Sequence, residues 1–504
     1  MRFVLRLTGF WRLSTALLCA VLLCACAEPF ARPPASLPDQ PTRGAAAPGA
    51  AVTPPAVTAQ PAVNAPATTA VSAAPIIAAA HCPDLPPEAD LPASAPTADQ
   101  DKQPEDTNDS SSNADAEPET NMPISYDPAT NTILLVGGAP ITLPAVAQAL
   151  ARPDVLRELT PGEWLLRANL RVGAGAALEI AGPAVRRLKL RSDAQGFVWI
   201  KVFGARLTFV DTCVTSWDSG QGSVDTNDAD GRSFVLARQG ARMDIRGSEL
   251  SYLGYYANES YGVAWRQPGT SGSAIDSRFG HNFYGLYSYE ASDLVIRGNE
   301  VHHSTRYGID PHTRSNHLLI ENNIAHHNGK QGIILAEECA DSTIRNNTVY
   351  ANALHGIVIY QRSSNNLVED NTSYSNGLQG INVNDSANNT LRGNTTYDNA
   401  EAGIGVGQNA ANNQLTGNTV RDNRKDGISF YSDATGNIVR DNIVSGNARY
   451  GIYVKSSNNL IDTGNQVFGN AIGIYLNATP PPTVSLDTNR VYDNRDANVR
   501  VGGG

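Results

Sequence analysis

A glycine followed by isoleucine or leucine recurs nine times in the C-terminal half of the chain, at intervals of 22 to 24 residues. An asparagine follows each of these glycines by 14 to 16 residues. Within a repeat, apolar and polar side chains alternate, as in Gly356-Ile357-Val358-Ile359-Tyr360, which is the period of a strand and not of a helix. The glycines are Gly285, Gly308, Gly332, Gly356, Gly380, Gly403, Gly427, Gly451 and Gly473; the asparagines are Asn299, Asn323, Asn347, Asn371, Asn394, Asn418, Asn442, Asn465 and Asn489.

A unit of roughly 24 residues cannot bury its own apolar face, whereas stacked units can, with strands of successive coils about 4.8 Å apart. The repeat therefore predicts an all-β parallel β-helix with an internal asparagine ladder. A leucine-rich repeat is excluded because no helix-length segment fits in one unit. Looser strand patterns over residues 164–297 predict earlier coils of the same solenoid. A helix over 142–159 is expected to cap the first coil. Residues 489–504 are expected to complete the last coil.

The N-terminus has the pattern of an export signal. Three arginines precede an apolar run that ends in Leu23-Cys24-Ala25-Cys26, which resembles a bacterial lipobox. We expect residues 1–25 to be a signal peptide, with Cys26 lipidated and anchored to the membrane. An ordinary cleaved signal is the alternative. Both readings predict export to the periplasm, and the lipidated reading also predicts attachment to the outer membrane.

Residues 27–121 contain 18 of the 30 prolines and 13 acidic against 3 basic residues. Such a segment is predicted to be a disordered linker, followed by a catalytic β-helix domain over 122–504. With a net charge of −11, a nucleic-acid partner is not expected. The cysteines show no paired spacing, so we predict neither a disulfide framework nor a metal site, and no cofactor; Cys213 and Cys339 are interpreted as small buried residues.

Side chains two and four positions after each glycine should point outward and form rows across the coils. One row carries Asp310 and His312, separated by Pro311, a residue that is costly in a central strand. The neighbouring rows carry mostly uncharged side chains, so this row is predicted to be a functional site on an exposed strand. Residues expected to border it are Arg306, Tyr307, Lys330, His355, Arg314, Arg362 and Tyr287. His302, His303, His326 and His327 are interpreted as surface residues.

The hexapeptide Tyr307-Gly308-Ile309-Asp310-Pro311-His312 resembles a signature of the mannuronan C5-epimerases. The segments around 170–180, 252–263 and 285–296 are also similar to that family, especially to its periplasmic, calcium-independent members, over about residues 160–475. The resemblance implies a right-handed β-helix enzyme that converts β-D-mannuronate to α-L-guluronate within alginate. This sequence departs from the family at Thr313, where an acidic residue is usual, and at Leu354, where the calcium-dependent members have arginine.

Epimerisation at C5 removes a proton next to a carboxylate and returns one from the opposite face. A cation, Lys330 or Arg306, is expected to neutralise that carboxylate. His312 and Tyr307 would be the base and the acid, in an order that the sequence leaves open, with His303 in reserve. Asp310 would orient the histidine or bind sugar hydroxyls. Arg306, Arg314, His355, Arg362 and Tyr287 are predicted to bind substrate.

A lyase acting on a uronate polymer by β-elimination is the alternative enzyme, because it begins with the same proton abstraction. A non-catalytic β-helix that binds polysaccharide is the alternative outside enzymes. The expected partner is in every case a polyuronate, with a polysaccharide export complex as a further candidate.

Overall fold

The computed structural model describes Cys82, Leu85, Pro86 and residues 123–502, except 432, 457 and 480. The predicted signal peptide, the lipidated Cys26 and most of the predicted linker lie outside these residues. No helix within the described part is long and apolar enough to cross a membrane.

Three parallel sheets run the length of a solenoid, and each coil contributes about one strand to each sheet. Sheet 1 consists of Ile124–Asp127, Thr132–Leu135, Asn169–Val172, Trp199–Phe203, Phe234–Arg238, Gly262–Arg266, Tyr284–Tyr289, Ile309–His312, Ile333–Ala336, Ile357–Tyr360, Ile381–Asn384, Ile404–Gly407, Ile428–Phe430, Tyr450–Val454, Ile472–Leu476 and Ala497–Val501. Sheet 2 consists of Ile141–Thr142, Ala177–Ala181, Arg206–Val210, Arg242–Arg246, Ser271–Ile275, Val295–Arg297, Leu319–Glu321, Thr343–Arg345, Leu367–Glu369, Thr390–Arg392, Gln414–Thr416, Ile438–Arg440, Leu460–Ile461 and Thr483–Val484.

Sheet 3 consists of Leu156–Thr160, Glu163–Leu166, Arg187–Asp193, Gly196–Phe197, Cys213–Asp218, Ser223–Val224, Glu249–Ser251, Arg278–Gly280, Glu300–His302, Ile324–His326, Thr348–Tyr350, Thr372–Tyr374, Thr395–Tyr397, Thr419–Arg421, Ile443–Ser445, Gln466–Phe468 and Arg490–Tyr492. Four strand pairs, all in the first coils, are antiparallel hairpins. Within the described residues, one 3-10 turn, Leu486–Thr488, precedes the last coil.

The interior is a column of stacked apolar side chains. The isoleucine or leucine after each repeat glycine points inward, and Ile309, Ile333 and Ile357 are fully buried in one continuous core. Removing each such side chain from water contributes about 1.5–3 kcal/mol. The predicted parallel β-helix is thus confirmed, as are the early coils from residue 164 and the completion of the last coil by Arg490–Tyr492 and Ala497–Val501.

The predicted asparagine ladder is confirmed, and two further ladders accompany it. Asn347, for example, donates through its side chain to Asn371 Oδ1 at 2.9 Å, and Asn371 donates to Asn394 at 3.0 Å. The additional ladders begin at Asn328 and Asn366. Together they satisfy the buried backbone groups of the turns that join the sheets.

The capping helix is shorter than predicted. It spans Leu143–Leu150, packs Leu143 and Val146 into the core, and ends at Ala151 in the left-handed conformation. Pro153 explains the early end, because the residue before a proline disfavours helical backbone. Leu156–Thr160, whose first four residues were expected to be helical, is a strand.

The prediction that the cysteines form no disulfide is wrong. Cys82, from the predicted linker, is bonded to Cys213, 131 residues away, with a Cα–Cα separation of 5.3 Å. The Cys82 backbone N–H also donates to the buried Glu249 carboxylate at 2.7 Å. Cys339 is free and buried, as predicted.

Candidate functional site

The strand Ile309–His312 places the predicted row on the outer face of sheet 1. Ile309 lies in the core, so Asp310 and His312 point away from it. In the register, Asp310 lies beside Tyr287, and His312 lies beside Tyr289. The row and the face of these residues are therefore those that the sequence predicts.

The expectation that this strand is exposed is wrong. Asp310 is fully buried and the exposed fraction of His312 is 8%. Tyrosines of neighbouring coils rise beside them: Tyr287 is buried in an aromatic cluster with Tyr261 and Tyr284, against which Tyr307 packs. The row is consequently covered by side chains of neighbouring coils instead of forming a protruding ridge, and we call this region the recess.

The Asp310 carboxylate is close enough to Tyr284 to affect the ionisation of its hydroxyl. Burial, and next the negative charge of Asp310, raise the pKa of Tyr284 well above its usual range. Tyr307 stacks on Tyr284 with ring centroids 5.4 Å apart. The carboxylate is thus buried beside Tyr287 and close to Tyr284, away from bulk water.

Tyr307 and Lys330 are brought together as predicted. Lys330 Nζ lies 5.2 Å from the centre of the Tyr307 ring. The Lys330 backbone N–H donates to the Arg306 carbonyl at 2.9 Å, so the two coils are locked in register here. Arg306 itself packs on the rings of Tyr256 and Phe283, at 5.7 and 5.9 Å, on the upstream side of the site.

A hydrogen-bonded relay orients the His312 ring. Thr313 Oγ1 donates to Glu337 Oε2 at 2.8 Å and lies 2.7 Å from His312 Nδ1. Because the hydroxyl gives its one hydrogen to the carboxylate, Nδ1 must be the donor to Thr313. In the neutral ring the lone pair is then on Nε2. The sequence showed that Thr313 replaces an acidic residue, but it did not show that Glu337 of the next coil supplies a carboxylate in its place.

The arginines predicted to flank the site form ion pairs along its edge. Arg362 Nη2 lies 2.8 Å from Glu338 Oε1, and Arg314 pairs with Glu290 and lies 3.8 Å from Glu338. Both side chains are more than half exposed. Their charge is therefore already balanced in part by carboxylates.

His355 is half-buried and Tyr287 is buried near the site. His355 Nδ1 accepts a hydrogen bond from the Gln379 backbone N–H at 3.3 Å, and burial lowers the pKa of its ring to about 4. Tyr287 has an exposed fraction of only 1% and lies 6.1 Å, between ring centres, from His312. Tyr287 therefore supports the floor of the recess more than it presents a surface to a ligand.

The site extends upstream through residues that the repeat did not identify. The His312 row continues as Tyr289, Arg266 and Arg238 in the preceding strands of sheet 1. Arg266 lies over the Tyr289 ring at 4.7 Å, and Lys201, in the Asp310 row, lies 3.1 Å from Glu259. The signal for these cations is the alternation within the early strands, which lack the glycine followed by isoleucine or leucine that marks the later coils.

The reserve residue His303 lies away from this recess. It follows the sheet 3 strand Glu300–His302 and stacks between His281 and His327. The four histidines interpreted as separate surface residues in fact form one stacked array with His281.

The family model described as "Right handed beta helix region" matches residues 213–373, 261–420 and 368–504, more than half of the chain. This protein belongs to the right-handed β-helix family. The handedness implied by the sequence resemblance is thereby confirmed.

Curated relatives bear out that resemblance. A mannuronan C5-epimerase of Pseudomonas aeruginosa is 30% identical over 198 residues, which are 37% of this chain and 36% of the relative. Mannuronan C5-epimerase AlgG of Azotobacter vinelandii is 33% identical over 198 residues, 37% of each protein. The chain thus matches little more than a third of the length of these relatives.

A solved structure of the periplasmic alginate epimerase AlgG superposes with a TM-score of 0.59 at 24% identity, covering 74% of this chain and 85% of that one. At this identity the superposition supports the shared fold.

Proposed function

We propose that this protein is a mannuronan C5-epimerase that acts on the polymer. The observation that carries the proposal is the recess on sheet 1, where His312, Tyr307, Asp310 and Lys330 come from two neighbouring coils. The proposal is supported by the relatives named mannuronan C5-epimerase, which match about a third of their length.

The chemistry follows from the groups on the outer face. The C5 proton is weakly acidic because the carboxylate next to it is already negative. An ammonium at Lys330 would neutralise this carboxylate and so stabilise the carbanion-like transition state.

The relay through Thr313 favours one order of proton transfer. With Nδ1 donating to Thr313, the Nε2 lone pair of His312 takes the C5 proton, and the resulting positive charge is balanced by Glu337. Tyr307 then donates its hydroxyl proton to the opposite face of C5. Solvent returns a proton to Tyr307 and removes one from His312, which completes the cycle.

Asp310 is a positioning residue in this scheme. Its carboxylate is buried beside Tyr287 and close to Tyr284, where it would orient a tyrosine hydroxyl or a sugar hydroxyl. Arg306, Arg314, Arg362 and His355 are proposed to line the path of the polymer. We further propose that the protein acts in the periplasm, anchored to the outer membrane through a lipid on Cys26.

Incubation of the mature chain with polymannuronate in deuterated water tests the reaction. We expect deuterium at C5 and new guluronate signals in the proton NMR spectrum, without chain shortening. Unsaturated chain ends would instead identify a lyase, and binding without any change of the sugar would identify a polysaccharide-binding protein.

Three variants test the residue roles. His312→Asn, Tyr307→Phe and Lys330→Met should each lower the rate by roughly 100-fold or more. His317→Asn, at an exposed histidine outside the recess, and Tyr360→Phe, two coils downstream on the same face, are the controls. Full activity of His312→Asn would overturn the assignment.

A further inference from the structure

Five histidines form a stacked array where sheet 3 turns toward sheet 1; we call it the histidine stack, and it consists of His281, His302, His303, His326 and His327. Two columns run along the solenoid axis. In one, His281 lies on His303 and His303 on His327, at 5.1 and 5.2 Å between ring centres. In the other, His302 lies on His326 at 5.4 Å. Five of the nine histidines of the chain are thus concentrated outside the recess described above.

Three of these rings converge at the upstream end of the stack. His281, His302 and His303 each offer a ring nitrogen, and the three nitrogens lie within 4.8 Å of one another. His302 Nδ1 and His303 Nδ1 are 3.0 Å apart. Separations of this size suit ligands that share one ion, since Zn–N bonds are about 2.0–2.1 Å long.

Gly280 makes this convergence possible. In sheet 3 it lies directly beside His302, at the position that His302 and His326 occupy in the following coils. A Cβ at residue 280 would lie only 2.7 Å from His302 Cε1 and 2.8 Å from His302 Nε2. The missing side chain therefore leaves a cradle for the His302 ring next to His281.

The surroundings favour the neutral form of His281 and His302. Burial, followed by repulsion from His303 and Arg232, lowers the pKa of His281 to about 4, and burial lowers that of His302 as well. The Glu300 carboxylate interacts with His302 and accepts a hydrogen bond from Arg278 at 2.6 Å. The negative charge of Glu300 would attract a bound cation and so counteract the repulsion between that cation and Arg232.

We propose that His281, His302 and His303 bind one divalent transition-metal ion, with Zn²⁺ as the best match. Three imidazole nitrogens suit Zn²⁺, Cu²⁺ or Ni²⁺ far better than Ca²⁺ or Mg²⁺, which prefer oxygen. His281 and His303 are half-exposed, so the fourth position would face solvent. The ion would join two successive coils, four residues before Tyr307. This site does not depend on the proposed epimerisation.

The next coil supplies a natural comparison. His326 Nδ1 and His327 Nδ1 are 2.7 Å apart. The ring centres of His303 and His326, however, are 6.0 Å apart, whereas those of the corresponding pair, His281 and His302, are 5.6 Å apart. His326 Nε2 also lies 3.4 Å from Glu300. His327 is therefore the matched residue of the same stack that the proposed site does not use.

The test is a titration of the mature chain, produced without a polyhistidine tag, with Zn²⁺ by calorimetry and with Co²⁺ by visible absorption. We expect one ion per chain, the absorption of four-coordinate Co²⁺, and a rise in Tm on Zn²⁺ binding. His281→Asn and His303→Asn should each weaken binding more than the roughly 10- to 100-fold typical of losing an outer-shell partner. Asparagine suits these positions because both have positive φ.

Two further variants distinguish the site from general histidine binding. Gly280→Ala should weaken binding at least about tenfold by displacing the His302 ring, while His327→Asn should leave it unchanged. The absence of Zn²⁺ binding by the wild-type chain would overturn the proposal. Unchanged binding by the folded His281→Asn, His303→Asn double variant, or an equal loss in His327→Asn, would overturn it too.

Discussion

At the scale of single residues, Thr313 is the most informative position. It stands where the epimerase resemblance leads one to expect an acid, and its hydroxyl links His312 to Glu337. A carboxylate from the following coil thus reaches the imidazole through one intervening hydroxyl. Thr313 is accordingly a positioning residue in the proposed mechanism, and the function of the missing acid is shared by two side chains.

We predict that Thr313→Ala lowers kcat by roughly 10- to 100-fold with little change in KM, because the His312 ring loses its orientation. Thr313→Ser keeps the hydroxyl and should restore most of the rate. Glu337→Gln should shift the pH profile of kcat, since the charge that balances protonated His312 is removed. Equal rates for Thr313→Ala and Thr313→Ser would contradict the relay.

His355 makes stability depend on pH. Its pKa is about 4 in the folded protein, against about 6.5 when unfolded, so the unfolded chain binds more protons between these values. The contribution is present above pH 6.5 and is lost as the pH falls toward 4, at no more than about 1.4 kcal/mol per pH unit. Urea unfolding should show a shallower pH dependence for His355→Gln than for the wild type, whereas His317→Gln, at an exposed histidine, should match the wild type.

At the scale of elements, the asparagine ladders hold the turns between strands. Asn371 accepts from the backbone and side chain of Asn347, and donates to Ile344 and Asn394, at 2.9 to 3.0 Å. Strands of only three or four residues cannot fix such a turn by themselves. The ladder therefore determines where each coil changes direction, and with it the face on which His312 lies.

Removing one ladder residue should be costly. Asn371→Ala removes the side-chain hydrogen bonds to Asn347, Ile344 and Asn394 in a buried turn, so we expect a loss of roughly 3 kcal/mol in the free energy of unfolding. Asn384→Ala, on the outer face of sheet 1, should change it by less than about 1 kcal/mol. Urea denaturation followed by circular dichroism measures both, and equal midpoints would contradict a stabilising role of the ladder.

At the scale of the whole molecule, the Cys82–Cys213 disulfide ties the predicted linker to the solenoid body. Cys82 is buried, and its backbone is held by Glu249. The segment that precedes the body thus reaches back to the sheet 3 strand Cys213–Asp218. A disulfide fits an exported protein, because such bonds persist outside the reducing cytosol.

Limited trypsin digestion should reveal this tether. Lys102 lies in the predicted linker, where we expect rapid cleavage. The peptide ending at Lys102 should remain attached to the body without reductant and separate only after reduction. In Cys82→Ser it should separate at once; separation from the wild type without reductant would contradict the disulfide.

The sequence by itself determined the solenoid and the row of the candidate site. Both depend on local periodicity: alternation assigns Ile309 to the core and Asp310 and His312 to the outer face, and the glycine spacing aligns the coils. The tertiary structure alone decided how deeply the recess is buried and that Glu337 reaches His312 through Thr313. It also decided the pairing of Cys82 with Cys213 and the convergence of the three histidines of the proposed metal site. Each of these features depends on side chains from different coils, and the two cysteines of the disulfide are 131 residues apart. A repeat pattern determines which coils are neighbours, but it does not determine how far their side chains extend toward one another.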